Sequence, residues 1–234
     1  MLQSDHDTSI DTQGESGGGE GVCALRALRH FAVHGTDGDV GRVCDVYFDD
    51  RWWQSRFLVV DIRHWLSDRR VLLAPDAVRT VDRARQQIVV ALTATQVEQS
   101  PPTGTAVPLA LQHGVDLYTY FGFPYSWTGS ALRWDPLSGF ERDDPHLGSA
   151  EAIVGYGVRA TDGEAGHVED ILFDARSWAI KDVVVRSGRW PAHHLLLSPS
   201  LISRANLERR ELDVDQARDE IARRSDLEMS RSVG

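Results

Sequence analysis

TDGDVGRVCDVYFDDRWW, residues 36–53, and TDGEAGHVEDILFDARSW, residues 161–178, are two versions of one stretch, offset by 125 residues (161 − 36). The offset pairs Asp37 with Asp162, Gly38 with Gly163, Gly41 with Gly166, Val43 with Val168, Asp45 with Asp170, Phe48 with Phe173 and Trp53 with Trp178. The agreement continues outward. RFLVVD ending at Asp61 answers IKDVVVR ending at Arg186, and Trp65 answers Trp190. At an offset of 124 (195 − 71), VLLAPDAV from Val71 answers LLLSPSLI from Leu195, and Ile88 and Val90 answer Leu212 and Val214. Self-similarity sustained this far makes the chain two copies of one unit.

Each unit reads as β. The Asp-Gly pairs at 37–38 and 162–163 are hairpin-turn chemistry, because glycine accepts positive φ without steric cost. The segments after them are rich in Val, Ile, Phe and Tyr and bounded by polar turns. Val43 and Val46 differ in parity, as do Val168 and Ile171, so a regular strand would turn them to opposite faces; a β-bulge near Asp45 and Asp170 lets all of them face inward. The unbroken runs Phe57–Val60 and Val183–Val185 suit strands covered on both faces. Pro75 and Pro199 end a strand, with short helical turns to follow. After Val214, DQARDEIARRSDLEM predicts a helix with Asp215 as cap and Ala217, Ile221 and Ala222 on a thin apolar side. Its counterpart, TATQVEQSPP, is shorter and stops at Pro101.

The organisation that follows is a disordered acidic tail over 1–21, a first repeat over 22–100, an aromatic-rich linker over 101–150, and a second repeat with a C-terminal helix over 151–234. The linker holds DLYTYFGFPYSW, six aromatics from Tyr118 to Trp127. The formal net charge is −10, of which residues 1–20 carry −5 with no Lys or Arg. The remaining surface is close to balanced, which argues against a nucleic-acid footprint, since that needs a basic stripe. Two cysteines, Cys23 and Cys44, without a CxxC make neither a disulfide scaffold nor a zinc ribbon. The N-terminus lacks the basic and apolar regions of a signal peptide, and no apolar run is long enough to span a membrane. A cytoplasmic location is the expectation.

The pattern of a DG turn, then G-x-V-x-D, an apolar triplet, a Trp and V-L-L-x-P resembles the PRC-barrel family. That family is named for the cytoplasmic domain of the photosynthetic reaction-centre H subunit and occurs also in a ribosome maturation factor. The resemblance covers roughly residues 25–100 and 152–222, and DLYTYFGFPYSW is similar to the linker of bacterial proteins carrying two such domains. It implies a mainly β fold: two small antiparallel barrels of about six strands in tandem, with short helices. The membrane helix of the H subunit and the N-terminal domain of the maturation factor have no counterpart here. The family is not defined by catalytic residues, so none carry over.

No arrangement for chemistry emerges from the residues themselves. His193 and His194 are adjacent on an expected strand and point to opposite faces. His30 and His34 lie about 13 Å apart along an extended strand. His167 and Glu169 share a face but lack further ligands. No GxSxG or phosphate loop is present, and Cys44 has no nearby basic motif to lower its pKa. The acid pairs Asp49–Asp50 and Asp143–Asp144 read as solvated turns.

The expectation is therefore a non-catalytic interaction or scaffold module with an unknown protein partner, possible homo-oligomerisation, no cofactor and no metal. Two alternatives stay open: a peripheral accessory protein of a membrane electron-transfer complex, and a small-molecule or metal binder with a polar cleft. The candidate interaction surface is Tyr118, Tyr120, Phe121, Phe123, Tyr125 and Trp127, which either pack on the chain's own units or form an exposed patch. Asp37, Gly38, Gly41, Asp162, Gly163 and Gly166 are structural markers of the repeat.

Overall fold

The computed structural model describes residues 21–64, 67–98, 147–187, 193–206 and 209–232, with backbone alone for 63–64, 67–69 and 226–232. The six linker aromatics, Trp65, Trp190 and the acidic tail up to residue 20 lie outside the described residues.

The protein is mainly β. In the first repeat β1 (Val22–Ala24) and α1 (Leu25–Leu28) precede β2 (Ala32–His34), β3 (Asp39–Asp49), β4 (Gln54–His64), β5 (Ser67–Leu73), β6 (Val78–Asp82), β7 (Gln87–Val90) and α2 (Ala94–Glu98). The second repeat has the same order: β8 (Leu147–Ser149), α3 (Ala150–Ile153), β9 (Gly157–Ala160), β10 (Gly163–Asp174), β11 (Ile180–Arg186), β12 (His194–Leu197), β13 (Ile202–Asn206), β14 (Glu211–Val214) and α4 (Arg218–Ser232). Thus β8 and α3 begin within the stretch read as linker.

Two seven-stranded sheets result, one per repeat, in the orders β5-β4-β3-β2-β7-β6 and β12-β11-β10-β9-β14-β13, each with one further strand on its long central member. Pairing is antiparallel except for β2 with β7 and β9 with β14. The hydrogen-bonded path is open in both sheets, where closed barrels were expected. The 3-10 turns Pro75–Ala77 and Pro199–Leu201 separate the two end strands in each case, and proline at the first position of such a turn cannot carry a ladder onward.

The bulges fall where parity required them. The β3–β4 register slips between Val43 and Asp45, and the β10–β11 register between Val168 and Asp170. One extra residue, Cys44 or Glu169, restores the phase, so that Val43, Val46, Val168 and Ile171 are all buried. Gly41 and Gly166 sit one turn of pleat earlier, where a Cβ would lie 2.2 Å from the carbonyl oxygen of Asp61 or of Arg186. These are glycines of close strand approach. Gly38 is different: it has open space around it and no positive φ, whereas its counterpart Gly163 stands at +131° and Gly166 at +149°.

Phe57–Val60 is buried on both faces, with Phe57, Val59 and Leu72 forming a second cluster against Cys44, Tyr47 and Leu147. In the second repeat Val184 is only half-buried at the position answering Val59. The main core is a single apolar cluster running through both repeats, with Leu28, Phe48 and Trp53 from the first and Ile153, Phe173 and Trp178 from the second.

Candidate functional site

The junction between the repeats concentrates the residues that recur in both. It is made by exchange. β1 of the first repeat pairs with β10 of the second, Cys23 opposite Phe173, while β8 of the second pairs with β3 of the first, Gly148 opposite Phe48. Each repeat therefore completes the other's sheet.

The aspartates of G-x-V-x-D fasten this exchange. Within its own bulge, Asp45 Oδ1 accepts the Val46 N–H at 2.7 Å, and Asp170 Oδ1 accepts the Ile171 N–H at 2.8 Å. The same oxygens cross the junction: Asp45 Oδ1 accepts the Glu151 N–H of α3 at 3.0 Å, and Asp170 Oδ1 the Arg26 N–H of α1 at 3.2 Å. Each aspartate thus caps the first turn of a helix in the other repeat, satisfying donors that the helix leaves open. The copies differ in one respect. Ser149 Oγ donates to Asp45 Oδ2 at 2.6 Å and accepts the Ala152 N–H, whereas Ala24 stands at the equivalent position. Burial pushes the Asp45 carboxyl above the ordinary aspartate range against the pull of these hydrogen bonds.

The marker aspartates of the DG turns have a second task. Asp37 Oδ1 accepts the Ala94 N–H at 2.6 Å and Asp162 Oδ1 the Arg218 N–H at 2.9 Å, so each caps the last helix of its own repeat. The cap expected from Asp215 is supplied by Asp162, because the turn is brought to the start of α4 by the pairing of β9 with β14. In the first repeat Thr93 and Gln96 add a capping box, with the Gln96 N–H on Thr93 Oγ1 and the Thr93 N–H on Gln96 Oε1.

Trp53 and Trp178 close the junction. Both hold positive φ, 51° and 58°, a conformation that costs a non-glycine residue roughly 1–2 kcal/mol. Reciprocal bonds hold them there: Trp53 O accepts the Ile180 N–H at 2.8 Å and Trp178 O the Ser55 N–H at 3.1 Å. The Trp53 ring stacks on Phe48 with centroids 5.4 Å apart. Beside it, Asp49 takes both Arg51 and Arg56. Burial would raise its carboxyl, but the hydrogen bonds from the two guanidinium groups outweigh that and hold it below the ordinary range.

Two clefts flank this junction as near-equivalents. The first, about 780 Å³, runs past Trp52, Trp53, Lys181, Ser200 and Arg204; the second, about 620 Å³, past Asp76, Arg79, Arg83, Arg176 and Trp178. Asp76 is exposed, and partial desolvation against the cleft wall raises its carboxyl. Trp52 is 57% exposed on the rim of the first cleft.

The histidines stay apart. His194 Nε2 lies 2.7 Å from Glu169 Oε2, His34 Nδ1 2.6 Å from Asp39, and His167 Nε2 3.6 Å from Glu164. Among the described residues no three His, Cys, Asp or Glu side chains converge to hold a metal. Cys23 is buried and Cys44 half-buried, and burial raises both thiols, which leaves them weakly nucleophilic. No helix among the described residues is long and apolar enough to cross a membrane.

Sequence reasoning identified Asp37, Asp45, Asp162 and Asp170 as repeat positions but not as caps. The available signal was an aspartate recurring inside an apolar strand, since a half-buried carboxylate needs donors. Compared with known proteins, the chain matches no protein-family model and no curated protein.

Proposed function

We propose that the chain is a non-catalytic interaction module whose two repeats are PRC-type units interlocked into one body. One observation carries the reading. The side chains that recur in both copies are already engaged in architecture: Asp37 and Asp162 cap their own last helices, Asp45 and Asp170 cap across the junction, and Trp53 and Trp178 close it. Reactive groups aimed at a shared cavity are the signature of catalysis, and among the described residues no recurring pair is of that kind. The linker aromatics Tyr118–Trp127 are the contact surface in this proposal, because large aromatics are favoured anchors.

The test compares wild type with Tyr120→Ser/Phe121→Ser/Phe123→Ser as bait in the native lysate, followed by binding of the purified captured protein. Solution mass and circular dichroism establish that both baits fold. A partner bound by wild type and lost by the folded variant supports the proposal. Equal binding removes the aromatics from the contact surface, and unfolding of the variant makes them structural. A second reading, a binder of small molecules, is favoured by the paired clefts at the junction.

A further inference from the structure

The two clefts share a charge pattern that the chain as a whole does not have. The chain carries −10, yet the first cleft sets Arg51, Lys181 and Arg204 against Asp50. The second sets Arg79, Arg83 and Arg176 against Asp76. Three cations to one acid line each end of one junction, a local positive balance in an acidic protein.

The cations are not equally available. Arg51 is committed to Asp49, with Nε and Nη2 bonded to its two oxygens at 3.1 and 2.9 Å. In the second cleft Arg83 Nη1 is engaged with Val22 O at 3.2 Å. Lys181 and Arg204 are exposed and form no ion pair within 4 Å among the described residues. The first cleft therefore keeps two cations outside any close ion pair, with Asp174 and Asp182 near enough to Lys181 to feel its charge; the second likewise keeps Arg79 and Arg176.

It also has features that the second lacks. Trp52 lines it and is 57% exposed, the largest exposed apolar side chain among the described residues; Ser177 stands at the matching position of the second cleft. A wet indole beside cations is a stacking platform for a planar ring. Ser200 replaces Asp76 of the second cleft, which removes an acid, and Ser198 Oγ lies 2.9 Å from Ser200 Oγ, giving two hydroxyls that can donate or accept. About 780 Å³ is within the range of small-ligand sites.

We propose that the first cleft binds a small ligand combining a phosphate with a planar ring, the chemistry of a mononucleotide. Lys181 and Arg204 hold the phosphate, Ser198 and Ser200 bond the polar middle, and Trp52 stacks on the ring. The second cleft, without the ring platform and with Asp76 in place of Ser200, does not take such a ligand with comparable affinity.

The experiment is calorimetric titration of the full chain, at low ionic strength, with AMP, adenosine and inorganic phosphate as separate probes. AMP is expected to bind saturably in the sub-millimolar range, with adenosine and phosphate each at least about tenfold weaker. Lys181→Glu/Arg204→Glu lowers AMP affinity by more than about tenfold. Trp52→Ala weakens AMP by about tenfold and leaves phosphate unchanged. Arg79→Glu, in the second cleft, leaves AMP binding as in wild type. These side chains are exposed, so circular dichroism is expected to show every variant folded. AMP binding no tighter than phosphate overturns the proposal. So does undiminished AMP binding in the folded Lys181→Glu/Arg204→Glu variant, or the absence of saturable AMP binding.

Discussion

Replacing Asp45 by alanine tests the junction at a buried carboxylate that bonds across it. Asp45 is 7% exposed and accepts from three donors, the Val46 N–H, the Glu151 N–H and the Ser149 hydroxyl. Loss of a helix cap costs about 1 kcal/mol. An orphaned buried N–H, here that of Val46, costs about 2 kcal/mol more. The expected loss is about 3 kcal/mol, which for a chain of this size lowers Tm by roughly 6–12 °C. Asp170→Ala removes the matching cap, but Asp170 is somewhat less buried, with its side chain 14% exposed, and has Ala24 where Asp45 has Ser149, so about 1–2 kcal/mol is expected. Asp45→Asn keeps the oxygen that takes both N–H groups, and Ser149 can turn from donor to acceptor; it is expected within about 1 kcal/mol of wild type. The two also separate by pH. Because the folded carboxyl titrates above its unfolded value, its contribution is fully present below the unfolded pKa and is lost as pH rises through the folded one. Wild type therefore gains on Asp45→Asn as pH falls through that window. Urea denaturation across pH, with thermal melts alongside, measures all of this. An Asp45→Ala cost under about 1 kcal/mol, or a larger cost for Asp170→Ala, refutes the reasoning.

The glycine pairs separate by their surroundings. Gly41→Ala and Gly166→Ala each drive a Cβ to 2.2 Å from a neighbouring strand's carbonyl oxygen and are expected to cost more than about 3 kcal/mol in thermal melts, whereas Gly38→Ala meets nothing within 4 Å and is expected within about 0.5 kcal/mol of wild type. Residues 21–98 and 147–232 made as separate chains each lack one exchanged strand and one helix cap. Each is expected to be unfolded or self-associated by sedimentation and circular dichroism, and the two mixed are expected to form a folded one-to-one complex; two independently folded monomers refute the exchange.

The repeat, the bulge and the class of the fold were legible because each is a local pattern. The parity break at Val43 and Val46 places the bulge without any knowledge of partners. What was not legible depends on which strand meets which. Nothing in VCA at 22–24 says that it pairs with β10 rather than within its own repeat, because an isolated three-residue strand has almost no register information. Asp37 and Asp162 looked like turn residues and are turn residues; their service as caps follows from the parallel pairing of β2 with β7 and β9 with β14, which sequence periodicity does not encode. The clefts were beyond reach for the same reason. Trp52 and Arg204 are far apart in the chain and meet only through the junction.

The pattern of difference between the copies bears on function as much as their likeness does. A twofold dimer of single units could make the same exchanged strands and crossed caps, but its stability would depend on concentration. Joining the units makes the exchange intramolecular, and the cost of a longer connection is small, about 0.6 kcal/mol per doubling of length. The connection over residues 99–146 is thus free to carry sequence chosen for something other than stability, and the chain sets six aromatics there. Joining also frees the two copies from identity. At the interlock Asp45 and Asp170, Gly41 and Gly166 agree, while Ser149 stands against Ala24. At the clefts Arg51 and Arg176, Trp53 and Trp178, Pro75 and Pro199 agree, while Trp52 stands against Ser177 and Ser200 against Asp76. These last two differences change the ring, the charge and the hydroxyls of one particular hollow, in the direction that makes the first cleft more receptive to an anionic ring-bearing ligand and the second less so.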